Sequence, residues 1–356
     1  MVMNTPQSSS STKEGEPCGG GCRMWAVWAV LTTMWACSLT HGHTSTETNR
    51  FLSVFSVVRF KNSECPATGE DTGVCYPSAA CYRGGGEEAG QCASGFGICC
   101  LTKVGCSASA SNNMTYIESP SYPSTFNYAT TCTHTLHFSE DICQLRLDVA
   151  KVELAPPNTQ GNCVDDWLTF SQDIKWERVC GTSINTHFYL DVEPSVSTSI
   201  SFTFTTNSSV SYARRWKIRV SQISCGQFSL APSGCGQYFT TSSGTIKGWN
   251  HDGLYLSGQN YAICVRKELN SCSTTYVDNQ NIMFIPACGD TFEWPYPVFI
   301  SPDMSVTCFS NPTFINSAPF TVPLQGPNYI YLVTKDTTNS HIYSSNINYN
   351  YTQNSC

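Results

Sequence analysis

Residues 198–225 read TSISFTFTTNSSVSYARRWKIRVSQISC, two runs in which apolar and polar side chains alternate. Ile200, Phe202 and Phe204 alternate with Ser and Thr; after a polar turn, Trp216, Ile218 and Val220 alternate with Lys and Arg. A period of two puts every second side chain on one face, so each run is a strand with one buried and one wet side. Upstream, Leu145, Leu147 and Val149 repeat the pattern, and downstream Tyr329, Tyr331 and Val333 do the same in NYIYLVT. Pro, Gly and Asn/Ser clusters break the chain about every ten residues, and no long helical period competes. The expectation is an all-β chain built as antiparallel sandwiches.

Cys225 closes the quoted stretch and also closes a set of six. Cysteines 106, 132, 143, 163, 180 and 225 stand at intervals of 26, 11, 20, 17 and 45, and cysteines 235, 264, 272, 288, 308 and 356 at 29, 8, 16, 20 and 48. Flanking text agrees: GNCVDDWLTF around Cys163 parallels PACGDTFEW around Cys288, and ISC at Cys225 parallels NSC at Cys356. A series that repeats interval by interval marks an internal duplication. Two copies follow, residues 105–225 and 235–356, with 226–234 as linker. Ahead of them, Cys65, Cys75, Cys81, Cys92, Cys99 and Cys100 crowd a Gly-rich, partly acidic module, residues 49–104. Such a stretch buries little apolar surface and needs disulfides to hold it. Adjacent cysteines on a trans peptide diverge, so Cys99 and Cys100 must reach different partners. The run Gly84-Gly85-Gly86 reads as a flexible loop.

The 356 residues include 21 cysteines, more than a reducing compartment could keep paired, so the chain is expected to be secreted and extracellular. Residues Met24–Ala36, MWAVWAVLTTMWA, follow Arg23 and precede small residues, the layout of a signal peptide, assigned to residues 1–42. Removing it leaves 18 cysteines, an even number, and no apolar run of membrane-spanning length. Lys and Arg number 19 against 26 Asp and Glu, a formal charge of −7 that excludes a nucleic-acid footprint.

Cys65, Cys75, Cys81, Cys92 and the Cys99-Cys100 doublet resemble the clip domain of arthropod extracellular proteins. The resemblance implies Cys65 bonded to Cys99, Cys75 to Cys92, and Cys81 to Cys100. The first copy resembles a CUB domain. It has Cys106, the turn SPSYPSTF at Ser119 to Phe126, Cys132 before a strand, the step Cys163 to Asp166 followed by Trp167-Leu168-Thr169-Phe170, and Cys180-Gly181. The second copy is recognisable chiefly through its cysteines. The CUB resemblance implies Cys106 with Cys132 and Cys163 with Cys180, and the repeat transfers these to Cys235 with Cys264 and Cys288 with Cys308. Cys143 with Cys225 and Cys272 with Cys356 are then left over in each copy. From NRFLSVFSVVRF at Asn49 to Cys356, the arrangement is similar to that of arthropod secreted CUB proteins with a clip-like segment.

Clip and CUB modules often accompany serine proteases, yet no catalytic histidine or serine motif is present, and Cys288-Gly289-Asp290-Thr291 offers Thr where a nucleophile should stand. No catalytic residues are therefore assigned. His134 and His137 face opposite sides of a strand and cannot share a metal; both read as surface or half-buried. The family's calcium ligands map onto Glu153 and Asp166, with Asp165 beside it, but the third place holds Asn207, a neutral oxygen. In the second copy Asp278, Asp290 and Asp336 are loosely comparable. No other cofactor is expected. Sequons at Asn113, Asn207 and Asn350 fall in polar text that reads as loop.

These features point to a non-catalytic secreted adaptor whose loops bind extracellular proteins or glycans. A regulator of a protease cascade acting through the clip-like module, and a matrix or cuticle component, are the alternatives. Trp167, Trp176, Trp216, Trp249 and Trp294 are the first residues to examine for an exposed anchor.

Overall fold

The computed structural model describes residues 59–67, 69, 71–172, 175–209, 211–279, 296–300, 306–307, 319–324, 326–333 and 347–356. The proposed leader, Cys288, Cys308, Asp290, Trp294 and Asp336 lie outside the described residues.

The small N-terminal module has β1 (Glu64–Pro66), β2 (Thr72–Tyr76), the helix α1 (Ser78–Arg83), β3 (Glu87–Cys92) and β4 (Gly97–Val104). The next eight strands are β5 (Ala108–Ala110), β6 (Thr115–Glu118), β7 (Thr130–His137), β8 (Ile142–Glu153), β9 (Trp167–Phe170), β10 (Thr182–Asp191), β11 (Ser199–Thr206) and β12 (Arg215–Ser224). Then come β13 (Cys235–Phe239), β14 (Ser243–Lys247), β15 (Asn260–Val265), β16 (Ser271–Asp278), β17 (Tyr296–Ile300), β18 (Val306–Thr307), β19 (Phe320–Pro323), β20 (Asn328–Val333) and β21 (Asn348–Ser355).

Strands β5-β7-β11-β9 form one sheet of the first sandwich and β6-β12-β8-β10 lie in the other; in the second the sheets are β13-β15-β20-β17-β18 and β14-β21-β16-β19. Setting β18 aside as an added edge strand, the two orders are the same: first-third-seventh-fifth facing second-eighth-fourth-sixth. Even the parallel pair recurs, β5 with β7 and β13 with β15.

The alternation in the sequence becomes the core. Leu145, Leu147, Val149, Ile200, Phe202, Phe204, Trp216, Ile218 and Val220 are all buried, and Trp216 stacks on Phe204 with ring centroids 4.0 Å apart. Burying such side chains contributes about 1.5–3 kcal/mol each. In β20 the parity is reversed from the reading above: Ile330 is buried, whereas Tyr331 is 38% exposed. Both faces of this strand carry apolar side chains. Tyr329, on the other face, packs against the small cluster of Ala231, Cys235, Ala262 and Cys264.

Eight disulfides join described residues. Cys65–Cys99, Cys75–Cys92 and Cys81–Cys100 hold the N-terminal module. Cys106–Cys132, Cys143–Cys225 and Cys163–Cys180 lie in the first sandwich, and Cys235–Cys264 and Cys272–Cys356 in the second.

No linker separates the N-terminal module from the first sandwich. Strand β4 pairs antiparallel with β2 and β3, and its last residues, Thr102–Val104, run parallel to β6. Asp71 holds Lys217 at 2.5 Å and Lys103 at 3.1 Å across this seam. The Gly84-Gly85-Gly86 run, expected to be a flexible loop, is closely packed. A Cβ on Gly84 would sit 1.8 Å from Asn112 Oδ1, and one on Gly86 2.3 Å from Cys100 Sγ. Asn112 cannot yield, because its Nδ2 donates to Cys81 O (2.9 Å) and to Thr102 Oγ1 (3.0 Å).

The two sandwiches also share one hydrophobic core. Trp176 packs against Trp249 and Tyr261, and Phe188 stacks on Trp249 with centroids 3.9 Å apart. Asn250 accepts from Thr182 N–H (2.9 Å) and donates its own N–H to Ser183 Oγ (2.9 Å). Gln144 grips the linker as a strand would: its Oε1 accepts from Ala231 N–H and its Nε2 donates to Ala231 O, both at 2.8 Å.

Candidate functional site

At one end of the first sandwich, four stretches of chain meet around Asp166: the turn from Ser119 to Tyr128, the segment after β8, the Cys163–Asp166 step, and residues 207–214. The pair at their centre is Asp166 with Arg214, both side chains without solvent exposure. Arg214 Nε donates to Asp166 Oδ2 at 2.7 Å and Nη2 to Oδ1 at 3.0 Å, a two-pronged contact that fixes both planes. Ala155 N–H (2.7 Å) and Asn207 N–H (3.2 Å) donate to the same carboxylate. The guanidinium also donates to Asn207 O (2.7 Å) and Tyr212 O (3.2 Å), while the Arg214 backbone exchanges hydrogen bonds with Phe126. Beyond the pair itself, four of these hydrogen bonds join its side chains to loop backbone, at Ala155, Asn207 (twice) and Tyr212, so the pair ties these loops together.

Calcium on Glu153 and Asp166 is implied only by the family resemblance, with the neutral Asn207 at the third place, and the residues do not fit the ion. A dication wants six to eight oxygens. The Asp166 oxygens already accept four N–H bonds, and a buried arginine stands against them. Glu153 is engaged elsewhere, by Arg215 at 2.5 Å and Lys151 at 3.2 Å on the outer face of the sheet. Burial raises its pKa, but the hydrogen bonds from Arg215 and Lys151 outweigh that and hold the carboxyl below its usual value. Asn207 gives its carbonyl to Arg214 and its Oδ1 to Ser209 N–H (3.1 Å), and Asp165 accepts from Ser209 Oγ (3.0 Å). The structure thus does not bring the expected ligands to one point. Arg214 was not among the residues singled out from the sequence.

Around this pair the rim is open. Tyr128 and Val164 are about half exposed, at 51% and 50%. The turn Ser119–Phe126 includes a cis Tyr122–Pro123 bond. Of the tryptophans, Trp176, Trp216 and Trp249 are core residues, and Trp167 is half-buried under the Arg178 guanidinium, 4.3 Å from its ring centre. None of these four is an exposed anchor.

His134 is wholly buried, a correction to the surface or half-buried position expected for it. It shares the inward parity of Cys132 and Leu136, and its Nε2 accepts from Trp216 Nε1–H at 3.3 Å. Burial pushes its pKa down to about 4, so it is neutral at physiological pH. Together with Cys106 and Cys132 it forms a cluster with metal-like spacing, but the two sulfurs are bonded to each other. His137, on the other face, is exposed. Of the sequon asparagines, Asn207 is exposed in a loop and Asn113 lies in the turn before β6, where its Oδ1 accepts from Gln222 N–H (2.7 Å). Asn350 is not in a loop. It lies on the exposed face of β21, because the neighbours Tyr349 and Tyr351 are the buried ones.

Comparison with protein families matches residues 232–307 to the animal CUB domain. The chain contains a CUB domain. The matched segment lies in the second sandwich, whereas the sequence reading placed the fuller CUB resemblance in the first. No curated protein matches the chain by sequence. Among solved structures, the chain is similar to the CUB1-EGF-CUB2 domains of rat MASP-1, at 11% identity over 69% of this chain and 99% of that one, with a TM-score of 0.26. The full extracellular region of zebrafish Gpr126/Adgrg6 is similar at 10% identity over 70% of this chain and 36% of that one, with a TM-score of 0.29. CUB domains with many disulfides suit an extracellular, protein-binding role. Among the described residues, no helix is long and apolar enough to cross a membrane.

Proposed function

We propose that the chain is a secreted, non-catalytic adaptor in which both sandwiches are CUB-type domains and the rim of the first binds extracellular proteins or their glycans. The observation that carries this reading is the contrast at the rim. The charged groups beneath it are fully engaged with each other and with backbone, while Tyr128 and Val164 stand in solvent on loops that the Asp166–Arg214 pair holds fixed. Rigid, exposed aromatic and aliphatic side chains with a satisfied polar floor suit docking rather than bond-breaking chemistry. The shared strand order of the two sandwiches supports a common type for both.

A second reading, regulation of a protease cascade through the clip-like module, is favoured by Phe96 and Tyr82, which are 64% and 55% exposed on that module.

The test is capture from the source extracellular fluid on immobilised chain, comparing the natural sequence with Val164→Glu, Tyr128→Ala and Phe96→Ser. Partners lost with the first two variants support the rim. Loss only with Phe96→Ser moves the function to the clip-like module. Equal capture by all variants, or hydrolytic turnover by the pure protein, overturns the adaptor reading.

A further inference from the structure

We infer that Arg214 is the resident cation of the first sandwich's rim: its guanidinium does the loop-ordering work that a bound divalent ion would do, and makes this end of the molecule independent of metal. Three observations lead there. The guanidinium is completely buried and lies against both oxygens of Asp166, the carboxylate at the centre of the four converging stretches. It extends past the carboxylate to two further backbone oxygens, Asn207 O and Tyr212 O, the kind of ligands a hard cation takes from loops. Its charge balances that of Asp166, so a dication added beside it would meet a like charge in a site closed to water.

Arginine suits this office better than lysine. Its fixed planar fork reaches the carboxylate with two N–H groups and keeps others for the carbonyls, whereas an ammonium is a point charge on a flexible stem. The arrangement differs from the outward Glu153–Arg215 pair one residue along, where the carboxylate and guanidinium are both partly exposed and Arg215 reaches loop backbone through an exposed 3.5 Å contact to Pro123 O. Removing the Arg214 side chain would leave a pocket lined by the Asp166 carboxylate and the two carbonyl oxygens, with no positive charge in it. Arg214 orders the rim in this way whether or not the rim is the partner-binding surface.

The experiment is thermal unfolding of the secreted, disulfide-intact chain in 5 mM EDTA and in 5 mM CaCl2, with Arg214→Lys, Arg214→Met and Asp166→Asn measured alongside. For the natural chain, midpoints within about 1 °C of each other in EDTA and calcium are expected. Arg214→Met, similar in size but uncharged, should fall by several degrees or fail to be secreted, because it leaves Asp166 buried without its partner. Arg214→Lys should retain part of that loss. A calcium-dependent rise of several degrees in the natural chain, abolished in Asp166→Asn, would overturn the inference, as would equal midpoints for Arg214→Met and the natural chain. Equal midpoints for Arg214→Met and Arg214→Lys would also overturn it, since the positive charge would then contribute nothing.

Discussion

Acidification from pH 7 to pH 5 is expected to destabilise the first sandwich, and His134 sets much of the effect. In the native state its pKa is pushed down from 6.5 to about 4, chiefly by burial. Between those values the unfolded chain carries a proton that the native chain refuses, so stability falls as pH falls. With the native pKa at about 4 against 6.5, the total at stake is about 3 kcal/mol, since each pH unit between those values is worth about 1.4 kcal/mol. From pH 6.5 to 5 the loss from this residue is about 2 kcal/mol. His187, pushed to about 4 by burial and then by Arg146, adds in the same direction, as does His251. The depressed carboxyls of Asp71 and Glu153 also lose their contribution on acidification, but only as pH falls from their ordinary values of 3.8 and 4.5. The window above pH 5 therefore belongs to the histidines. His134→Gln keeps an acceptor for the Trp216 indole N–H and removes the titration. Denaturant unfolding at pH 7, 6 and 5 should show a shallower loss of stability in the variant, by about 1 kcal/mol or more per unit below pH 6.5. Equal slopes for both proteins would show that His134 does not carry the pH dependence.

Three further outcomes are expected. Trp176→Ala removes contacts to Phe170, Phe188, Trp249 and Tyr261 and should cost about 3–5 kcal/mol; because the core is shared, calorimetry should show both sandwiches melting together, and two separate transitions in the natural chain would contradict this. Gly181 has φ +77°, and an added Cβ would meet Asn250 Oδ1 at 2.1 Å, so Gly181→Ala should lose at least about 1–2 kcal/mol, read as a lower melting temperature. Cys143 and Cys225 are 82 residues apart, and opening that bond in Cys225→Ser should cost about 4.5 kcal/mol in the chain-entropy view and reduce secretion more than Asn113→Gln does.

The period-two text made the strands of the first sandwich legible, since one face of each is apolar and the other polar. The same parity already contained the rim. Counting back by two from Trp216 places Arg214 on the inward face, and a charge at an inward position requires a buried partner. His134 follows from Cys132 by the same count. Parity failed at β20, where apolar side chains occupy both faces and the alternation no longer names the inner one. The Trp176–Trp249 contact was beyond reach, because no local pattern states which tryptophan of one copy meets which of the other. The packing of Gly84 and Gly86 on Asn112 was hidden for a related reason: a glycine needed for close approach and one needed for freedom are spelled alike.

The shared core between the sandwiches changes the arithmetic of two-point recognition. Domains tethered by a loose peptide lose orientational freedom when a second contact forms, and the gain depends on how often the tether brings that contact into range. Here Trp176, Trp249 and Phe188 fix the relative pose during folding, and Gln144 holds the connecting segment in place. If both sandwiches bind as proposed, a partner whose two epitopes match the spacing would meet both surfaces already aligned. One whose spacing differs would gain nothing from the second domain, and selection would then act on distance as well as on chemistry.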